Sequence, residues 1–458
     1  MTRIHLIGIG GTGLSAIARV LLESGHDVSG SDRADSPFVR GLQAAGVTVH
    51  IGHRPQNVRG ADLVVRSSAI PDDNPEVVAA RELGIPVLKR ADFLGSLMEG
   101  KTGIAVAGTH GKTTITSMIA WMLTALGQEP SFISGGVLAN LGVNARAGKG
   151  QAFVIEADEY DRMFLGLKPS IEIITSVEHD HPDCYPTAAD FQSAFVEFAR
   201  LLPADGTLVF CAEDAGARQV AVGARDAGKH VCAYGFGQYS VFSEECSVAK
   251  NLRATKNGGF VFEAIVNRQS SIVHLQVPGR HNVLNALAAL TVARLLGLDL
   301  AAAARALGEF KGTGRRFEVR GEAGGVTVID DYAHHPTEIR ATLAAARSRY
   351  PGRRIWAVWQ PHTYSRTRTL FDGFAAAFAD ADAVIVTEVY KAREPEQDFS
   401  AEQVVRAMPH PAVQFIAELP EVSNYLVSHL SRGDVLLVLS AGDADQVSAE
   451  ALARLKEA

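Results

Sequence analysis

The stretch Ile104-Ala105-Val106-Ala107-Gly108-Thr109-His110-Gly111-Lys112-Thr113-Thr114 decides how this chain folds. The apolar run 104–107 reads as a buried strand, a glycine-bounded turn follows, and 114–126 carries the apolar spacing of a helix. Strand, glycine turn, Lys-Thr and helix is the layout of a phosphate-cradling loop. Gly108, Thr109, His110 and Gly111 turn backbone amides toward phosphate oxygens, Lys112 supplies a point charge, and the Thr113 and Thr114 hydroxyls open the helix. The Thr113 hydroxyl is suited to Mg²⁺. The commoner pattern has a further glycine where Val106 stands, so this loop is a short form.

Toward the N-terminus a second glycine turn, Gly8-Ile9-Gly10-Gly11-Thr12-Gly13, follows a strand at 3–7 and opens a helix at 14–23. A second strand, 26–32, ends in Asp32, 24 residues after Gly8. Gly10, Gly11, Thr12 and Gly13 are therefore expected to bind a diphosphate at a helix N-terminus, with Asp32 near a ribose or base. The motif does not choose between NAD and a UDP-sugar. A strand at 61–68 ends in Ser67 and Ser68, placed either to touch ligand or to cap a turn. A helix at 74–83, a strand at 85–88 and a helix at 90–98 lead to a polar boundary at 99–103.

Toward the C-terminus, Gly135, Gly136 and Asn140 are read as a loop. A buried strand over 152–159 runs into Glu156-Ala157-Asp158-Glu159, where a Mg²⁺-binding carboxylate is expected. A strand at 171–175 precedes Val177-Glu178-His179-Asp180-His181-Pro182-Asp183. Mg²⁺ prefers oxygen, so by chemistry alone that run reads equally as a solvated loop. A strand at 207–211 follows, and apolar runs at 241–248 and 260–266 suggest an antiparallel patch. His281, Asn282 and Asn285 crowd the start of a helix at 283–296, where they can read a base or cap the helix, and another helix spans 300–307. The doubly basic, glycine-rich 311–318 is the hinge into a third unit. There, strands at 326–329, 354–358, 383–386 and 435–439 and a helix at 337–348 carry Asp330-Asp331-Tyr332-Ala333-His334-His335-Pro336 and Gln360-Pro361-His362-Thr363-Tyr364-Ser365-Arg366 at strand ends.

The 458 residues are too many for one ordinary core, and 47% apolar with 21% charged residues marks a soluble globular chain. A net charge of −7 leaves no footprint for nucleic acid. Four widely spaced cysteines form no zinc pattern, and no apolar run reaches the ~18 residues of a membrane span. With a strand straight after the first residues and no signal-peptide pattern, a cytoplasmic monomer or homodimer is expected. The fold class is α/β in three domains: a Rossmann-like domain at 1–98, a central phosphate-loop ATPase-type domain at 99–312 and a Rossmann-like C-terminal domain at 313–458. Two nucleotide-type sites and a cationic third suggest joining of two substrates at the expense of ATP.

These motifs, with Gly279-Arg280-His281-Asn282-Val283-Leu284-Asn285 and Gly314-Arg315-Arg316-Phe317-Glu318, stand in one order along essentially the whole chain. Together they resemble the Mur ligases of cell-wall peptide assembly, which use the short phosphate loop. The resemblance implies ATP-dependent amide formation between the lactyl carboxylate of UDP-N-acetylmuramate and L-alanine, with Mg²⁺ or Mn²⁺. By that similarity the first glycine loop holds UDP rather than NAD, Lys112 and Thr113 hold ATP phosphates and metal, and Glu156 and His181 are metal ligands. His281, Asn282 and Asn285 surround the adenine, while Arg316 and Asp331 reach ATP from the C-terminal side. Tyr332, His334, His335 and Arg366 take the amino acid. Some members carry a second arginine three residues before Arg366, and here that residue is Thr363. Tyr160 and Met163 also depart from the commonest form. A tripeptide-recycling relative tends to have a disturbed first loop and an insertion after the acidic motif, whereas Glu159 and Asp180 here lie 21 positions apart. Diaminopimelate-adding relatives carry D-N-P-R in the third domain, and this chain does not. An NAD-linked oxidoreductase fused to an ATPase rests on the first glycine loop alone, and a non-catalytic nucleotide sensor leaves the metal and amino-acid motifs unused.

Overall fold

A computed structural model describes residues 2–237 and 246–457. Three sheets follow one another along the chain. The first is wholly parallel: β1 (Arg3–Ile7), β2 (Asp27–Asp32), β3 (Thr48–Ile51), β4 (Leu63–Arg66) and β5 (Val87–Lys89), in the order β3-β2-β1-β4-β5. The order reverses beside β1, so the glycine turn that leaves β1 lies at the crevice where such sheets bind ligands. The segment 33–60, given no element in the sequence reading, holds the helix Pro37–Ala44 as well as β3. Its signal is a cap: Ser36 accepts from the Val39 amide and Pro37 stands at the first helical position.

The middle sheet comprises β6 (Thr102–Ala107), β7 (Ser131–Leu138), β8 (Val143–Arg146), β9 (Ala152–Glu156), β10 (Ile171–Ile174), β11 (Thr207–Cys211), β12 (His230–Gly235), β13 (Ser247–Ala254), β14 (Phe260–Val266) and β15 (Gln269–Leu275). Their order is β15-β14-β13-β12-β11-β10-β6-β9-β7-β8. β6 runs parallel between β10 and β9, so both faces are covered. Ile104 and Val106 pack on one face with Ile115, Ile119 and Leu290, while Ala105 and Ala107 pack on the other with Ile155 and Ile174. Two buried faces explain why β6 reads as an unbroken apolar run rather than an alternation. Each such Ile or Val contributes ~1.5–3 kcal/mol by burial, which makes β6 a rigid base for the loop it feeds.

β13 and β14 pair antiparallel, as do β14 and β15. Of the expected run 241–248, residues 241–245 lie outside the described residues. Gly135 and Gly136 are not a loop: they lie in β7, where the register with β8 shifts between Ile133 and Leu138. The ladder is interrupted across the glycines, and the Gly135 amide donates instead to Glu156 Oε2 at 2.6 Å. β9 ends at Glu156 rather than running on to Glu159.

The C-terminal sheet comprises β16 (Glu318–Ala323), β17 (Val326–Asp331), β18 (Ile355–Gln360), β19 (Ala383–Val386), β20 (Val413–Phe415) and β21 (Val435–Ser440), in the order β16-β17-β21-β18-β19-β20. The edge strands β16 and β20 are mostly exposed or half-buried and lack the apolar run that marks the inner strands. The whole is three α/β domains built on parallel sheets, with antiparallel strands at the edges of the second and third.

Candidate active site

The helix Lys112–Ala125 begins directly after β6 and a tight turn. Gly108 has φ +132°, and a Cβ there would lie 1.9 Å from Thr175 Oγ1. Gly111 has φ +81°, and its Cβ would come 2.9 Å from Asn285 Oδ1. Glycine is required at both places because neighbouring chain leaves no room, quite apart from φ. The turn is held from β10's end: the amides of Thr109 and His110 donate to Ser176 O and Ser176 Oγ at 2.9 and 3.2 Å.

Lys112 Nζ donates to Gly108 O at 2.6 Å and to Glu159 Oε1 at 2.9 Å. Burial works against its charge, but Glu159 reverses this and raises the ammonium's pKa. Thr113 Oγ1 donates to Glu156 Oε1 at 2.9 Å, and the Gly135 amide donates to Glu156 Oε2 at 2.6 Å. Burial raises Glu156, whereas Glu159 is lowered despite its burial by Lys112 and His181. His181 Nε2 stands 3.6 Å from Glu159 Oε1. Lys112 and His181 thus meet at Glu159 and Thr113 meets Glu156, and the two carboxylates form one acidic corner.

On the other side of the loop a cavity of about 1390 Å³ opens between the middle and C-terminal domains. His110, Gly111, Thr114, Asn285, Arg316 and Asp331 line it, as do buried Asn282 and exposed His281. Asn282 Nδ2 donates to Pro278 O at 2.6 Å, and Asn285 Nδ2 donates to Asn282 Oδ1 at 2.9 Å, so both amides are fixed in orientation. Partial desolvation at the cavity wall and the nearby Arg316 cation lower the His281 pKa to about 4. Asp331 accepts from the Phe317 and Ala333 amides at 2.6 and 2.8 Å, and burial raises it to about 6.

The two domains meet at His110. Its Nε2 is 3.0 Å from Glu178 Oε2, and its Nδ1 is 3.3 Å from Glu338 Oε1. Thr337 Oγ1 donates to Glu178 Oε2 at 2.8 Å, and the His334 amide donates to Glu338 Oε2 at 3.0 Å. Burial opposes a charge on His110, but the Glu178 and Glu338 carboxylates, which accept from its ring and attract its charge, raise its pKa to about 9. Glu178 is lowered to about 2, chiefly by its bond to His110. The sequence reading assigned no role to Glu178 or Glu338. Glu338 closes a capping box on the helix Pro336–Arg349, but the N-cap is His335, so the usual Ser/Thr-x-x-Glu signal is absent.

Tyr332 lies under two guanidinium groups, Arg315 and Arg316, each 5.2 Å from its ring centre. His334 is 5.4 Å from the Tyr332 ring and 6.2 Å from the His362 ring. Burial lowers both His334 and His335 to about 4, leaving neutral imidazoles. Arg366 is only 2% exposed and is fully engaged. Its Nε donates to Asp180 Oδ1 at 2.6 Å, one terminal nitrogen donates to His362 Nδ1 at 2.9 Å, and the other to His181 Nδ1 at 3.4 Å. Burial works against the Asp180 charge, yet Arg366 holds its carboxyl well below the usual range. Arg366 is thus the buried counter-ion of Asp180, a partner that the sequence alone does not reveal.

In the N-terminal domain, Asp32 Oδ2 accepts from the Gly10 amide at 2.8 Å, so Asp32 shapes the glycine turn itself. Gly11 and Thr12 are exposed at the start of the helix Thr12–Glu23, and among the described residues no side chain caps it. A Cβ on Gly13 would lie 1.8 Å from an Arg90 nitrogen. Arg90, unassigned in the sequence reading, reaches from this turn toward Asp158, 3.8 Å away, in the middle domain. Ser67 lies against the same turn, since a Cβ on Gly8 would be 3.2 Å from its own Cβ, while Ser68 is exposed. These groups lie apart from the large cavity, on the other side of the acidic corner.

Three domain profiles match in order: "Mur ligase family, catalytic domain" at 3–102, "Mur ligase middle domain" at 106–293 and "Mur ligase, glutamate ligase domain" at 315–442. A UDP-N-acetylmuramate–L-alanine ligase of Nitratidesulfovibrio vulgaris is 44% identical over 97% of both chains. One of Rubrobacter xylanophilus is 45% identical over 99% of this chain and 100% of that one. Among solved structures, the UDP-N-acetylmuramate-alanine ligase of Thermotoga maritima superposes with a TM-score of 0.80 at 30% identity, covering 100% of each chain. A murein peptide ligase of Psychrobacter arcticus superposes at 0.72 with 26% identity, covering 100% of this chain and 99% of that one.

Proposed function

The chain belongs to the Mur ligase family, and we propose that it joins L-alanine to the lactyl carboxylate of UDP-N-acetylmuramate in the cytoplasm, converting ATP to ADP and phosphate. The observation that carries the reading is the acidic corner. It lies between the glycine turn of the N-terminal domain, the phosphate loop and the Tyr332–His334–Arg366 cluster. One ligand from each domain can therefore reach a common point.

In this reading the phosphates of ATP lie along Gly108–Thr114 and the adenine lies toward His281, Asn282 and Asn285. Arg316 and Asp331 close over ATP from the C-terminal domain. Lys112 neutralises charge on the transferring phosphoryl group. The lactyl carboxylate attacks the γ-phosphorus and releases ADP. The amine of alanine then attacks the acyl carbon of the resulting acyl phosphate and expels phosphate. Holding the partners in line is most of the catalysis, since the chemistry needs little covalent help. His334 and His335, with pKa values lowered to about 4, are neutral imidazoles too weakly basic to hold the ammonium's proton; they orient the amine, whose proton leaves to solvent.

The acidic corner also suits a divalent ion. Thr113 Oγ1 and Glu156 Oε1 are 2.9 Å apart, and buried Glu159 Oε2 has no hydrogen-bond partner among the described residues. Such hard oxygens match Mg²⁺ or Mn²⁺, with His181 as a further donor better suited to Mn²⁺. When bound, the ion would offset phosphate charge. The UDP diphosphate lies at Gly10–Gly13, beside Arg90, with Ser67 and Ser68 at the rim. Among the described residues no helix is long and apolar enough to cross a membrane.

Phosphate release tests the reading: it is expected only with UDP-N-acetylmuramate and an amino acid together, fastest with L-alanine and slower with glycine or L-serine. Turnover with a cell-wall tripeptide but not with alanine overturns the assignment.

A further inference from the structure

The structure assigns the carboxylate of the incoming amino acid to Arg393, with Arg366 acting as a positioning residue behind it. This rests on the proposed amide-forming reaction. Two arginines of the C-terminal domain face one short segment of the middle domain, and each holds a carboxylate from it. Arg366 pairs with Asp180 at 2.6 Å, and Arg393 pairs with Asp183 at 2.7 Å. The two pairs differ in what breaking them costs. Arg366 and Asp180 are each 3% exposed in their side chains, whereas Arg393 is 45% exposed and Asp183 22%. Stripping a buried pair leaves an uncompensated charge, so Arg366 does not exchange Asp180 for a substrate. An exposed pair holds weakly and exchanges readily.

Arg393 is also held in the right place. The Tyr390 amide donates to Pro361 O at 2.8 Å and the Thr363 amide donates to Tyr390 O at 2.9 Å, which ties the 390–393 turn to the strand end that carries Arg366. The Tyr390 ring stacks on His362 at 5.7 Å, and His362 is 2.9 Å from Arg366. The Arg393 guanidinium lies on the Tyr160 ring at 3.9 Å, and that ring is 5.2 Å from His181. Both nitrogens it presents, Nε at 3.0 Å and a terminal nitrogen at 2.7 Å, meet the same Asp183 oxygen. The planar fork is thereby aimed at a carboxylate, and an amino acid's carboxylate fits it in two-point fashion. Thr363, three residues before Arg366 at the start of the same helix, is buried and uncharged. Arg393 supplies the cation from a different loop.

Steady-state kinetics of the full chain test this. Arg393→Ala is expected to raise the KM for L-alanine about 10- to 100-fold, with the KM values for ATP and UDP-N-acetylmuramate little changed. Arg393→Lys should recover part of that loss. Asp183→Asn separates substrate binding from an interdomain tether. It frees Arg393 and is expected to lower the KM for alanine, whereas a tether would make it raise KM as Arg393→Ala does. An unchanged alanine KM in Arg393→Ala, or the same direction of change in both variants, overturns the assignment. Failure of alanine to support turnover in the unmutated protein would instead overturn the reaction on which it rests.

Discussion

His110 offers a test of how the middle and C-terminal domains are held together. Four groups face it: Glu178 from the loop after β10, His335 at the N-cap and Glu338 in the first turn of the helix Pro336–Arg349, and His281 from the helix Arg280–Leu295. Arg316 lies behind Glu338 at 3.5 Å. Burial disfavours the imidazolium and the two carboxylates favour it, and the net effect is a rise from 6.5 to about 9. A rise of that size corresponds to ~3 kcal/mol of stabilisation by the protonated form. Glu178 belongs to the same domain as His110, so its share persists when the domains part, and only the Glu338 share is lost. Opening the interface should therefore cost ~1–2 kcal/mol more when His110 is protonated, about a tenfold change in the open fraction. Because the folded pKa is raised, this contribution is complete below about pH 6.5 and disappears as pH rises through about 9. Opening also parts Thr337 Oγ1 from Glu178 Oε2, 2.8 Å across the same seam, and the open fraction is read by single-molecule energy transfer between dyes on the middle and C-terminal domains. The open fraction of His110→Asn relative to wild type should be about tenfold at pH 6–7 and should approach unity by pH 10. A ratio that is flat across that range, or that grows with pH, refutes the argument.

Lys112→Ala should lower kcat roughly a thousandfold while circular dichroism stays native, since His181 still faces Glu159; near wild-type turnover would remove Lys112 from the reaction. Glu156→Ala should shift the Mg²⁺ midpoint of activity upward, and His181→Ala should shift the Mn²⁺ midpoint more than the Mg²⁺ one; an unchanged midpoint returns the residue to a structural role. Gly108→Ala should abolish ATP binding in calorimetry, because the added Cβ meets Thr175 Oγ1 at 1.9 Å and backbone nitrogen at 3.0 Å. UDP should bind the full chain and NADH should not, and Gly13→Ala should weaken UDP binding by displacing Arg90; tight NADH binding would reverse the reading of the first glycine turn.

The inner strands and the helices after glycine turns were legible because burial on both faces leaves a contiguous apolar run, as in β6, β18 and β21. The edges were not. β3, β16 and β20 carry no fully apolar stretch, because an edge strand is covered on one face at most. The pair Gly135-Gly136 looked like a loop because glycine usually interrupts a strand, whereas here β7 absorbs it through a register shift. Helix starts were missed by two or three residues where glycine rather than Ser or Thr precedes the first turn, as at Gly111 and Gly279.

The site divides by another rule. Residues that present backbone or a lone charge to phosphate carry their own signature, so Gly108, Gly111, Lys112 and Thr113 could be picked out one by one. Residues that act through a partner carry none. Arg366 is separated from Asp180 by 186 positions, and Arg393 from Asp183 by 210. No local pattern tells a buried arginine that balances a carboxylate from an exposed one that can trade it. Only the fold does so, by placing Asp180 beneath the helix Tyr364–Thr369 and Asp183 at the rim under Tyr160. The motif around Arg366 is strong because a buried ion pair tolerates little change in either partner or its surroundings. The turn around Arg393 is not among the stretches that carry the family resemblance, and its half-exposed guanidinium can trade one carboxylate for another. On this argument the recognisable motif marks the residue that cannot move, and the substrate meets the one that can.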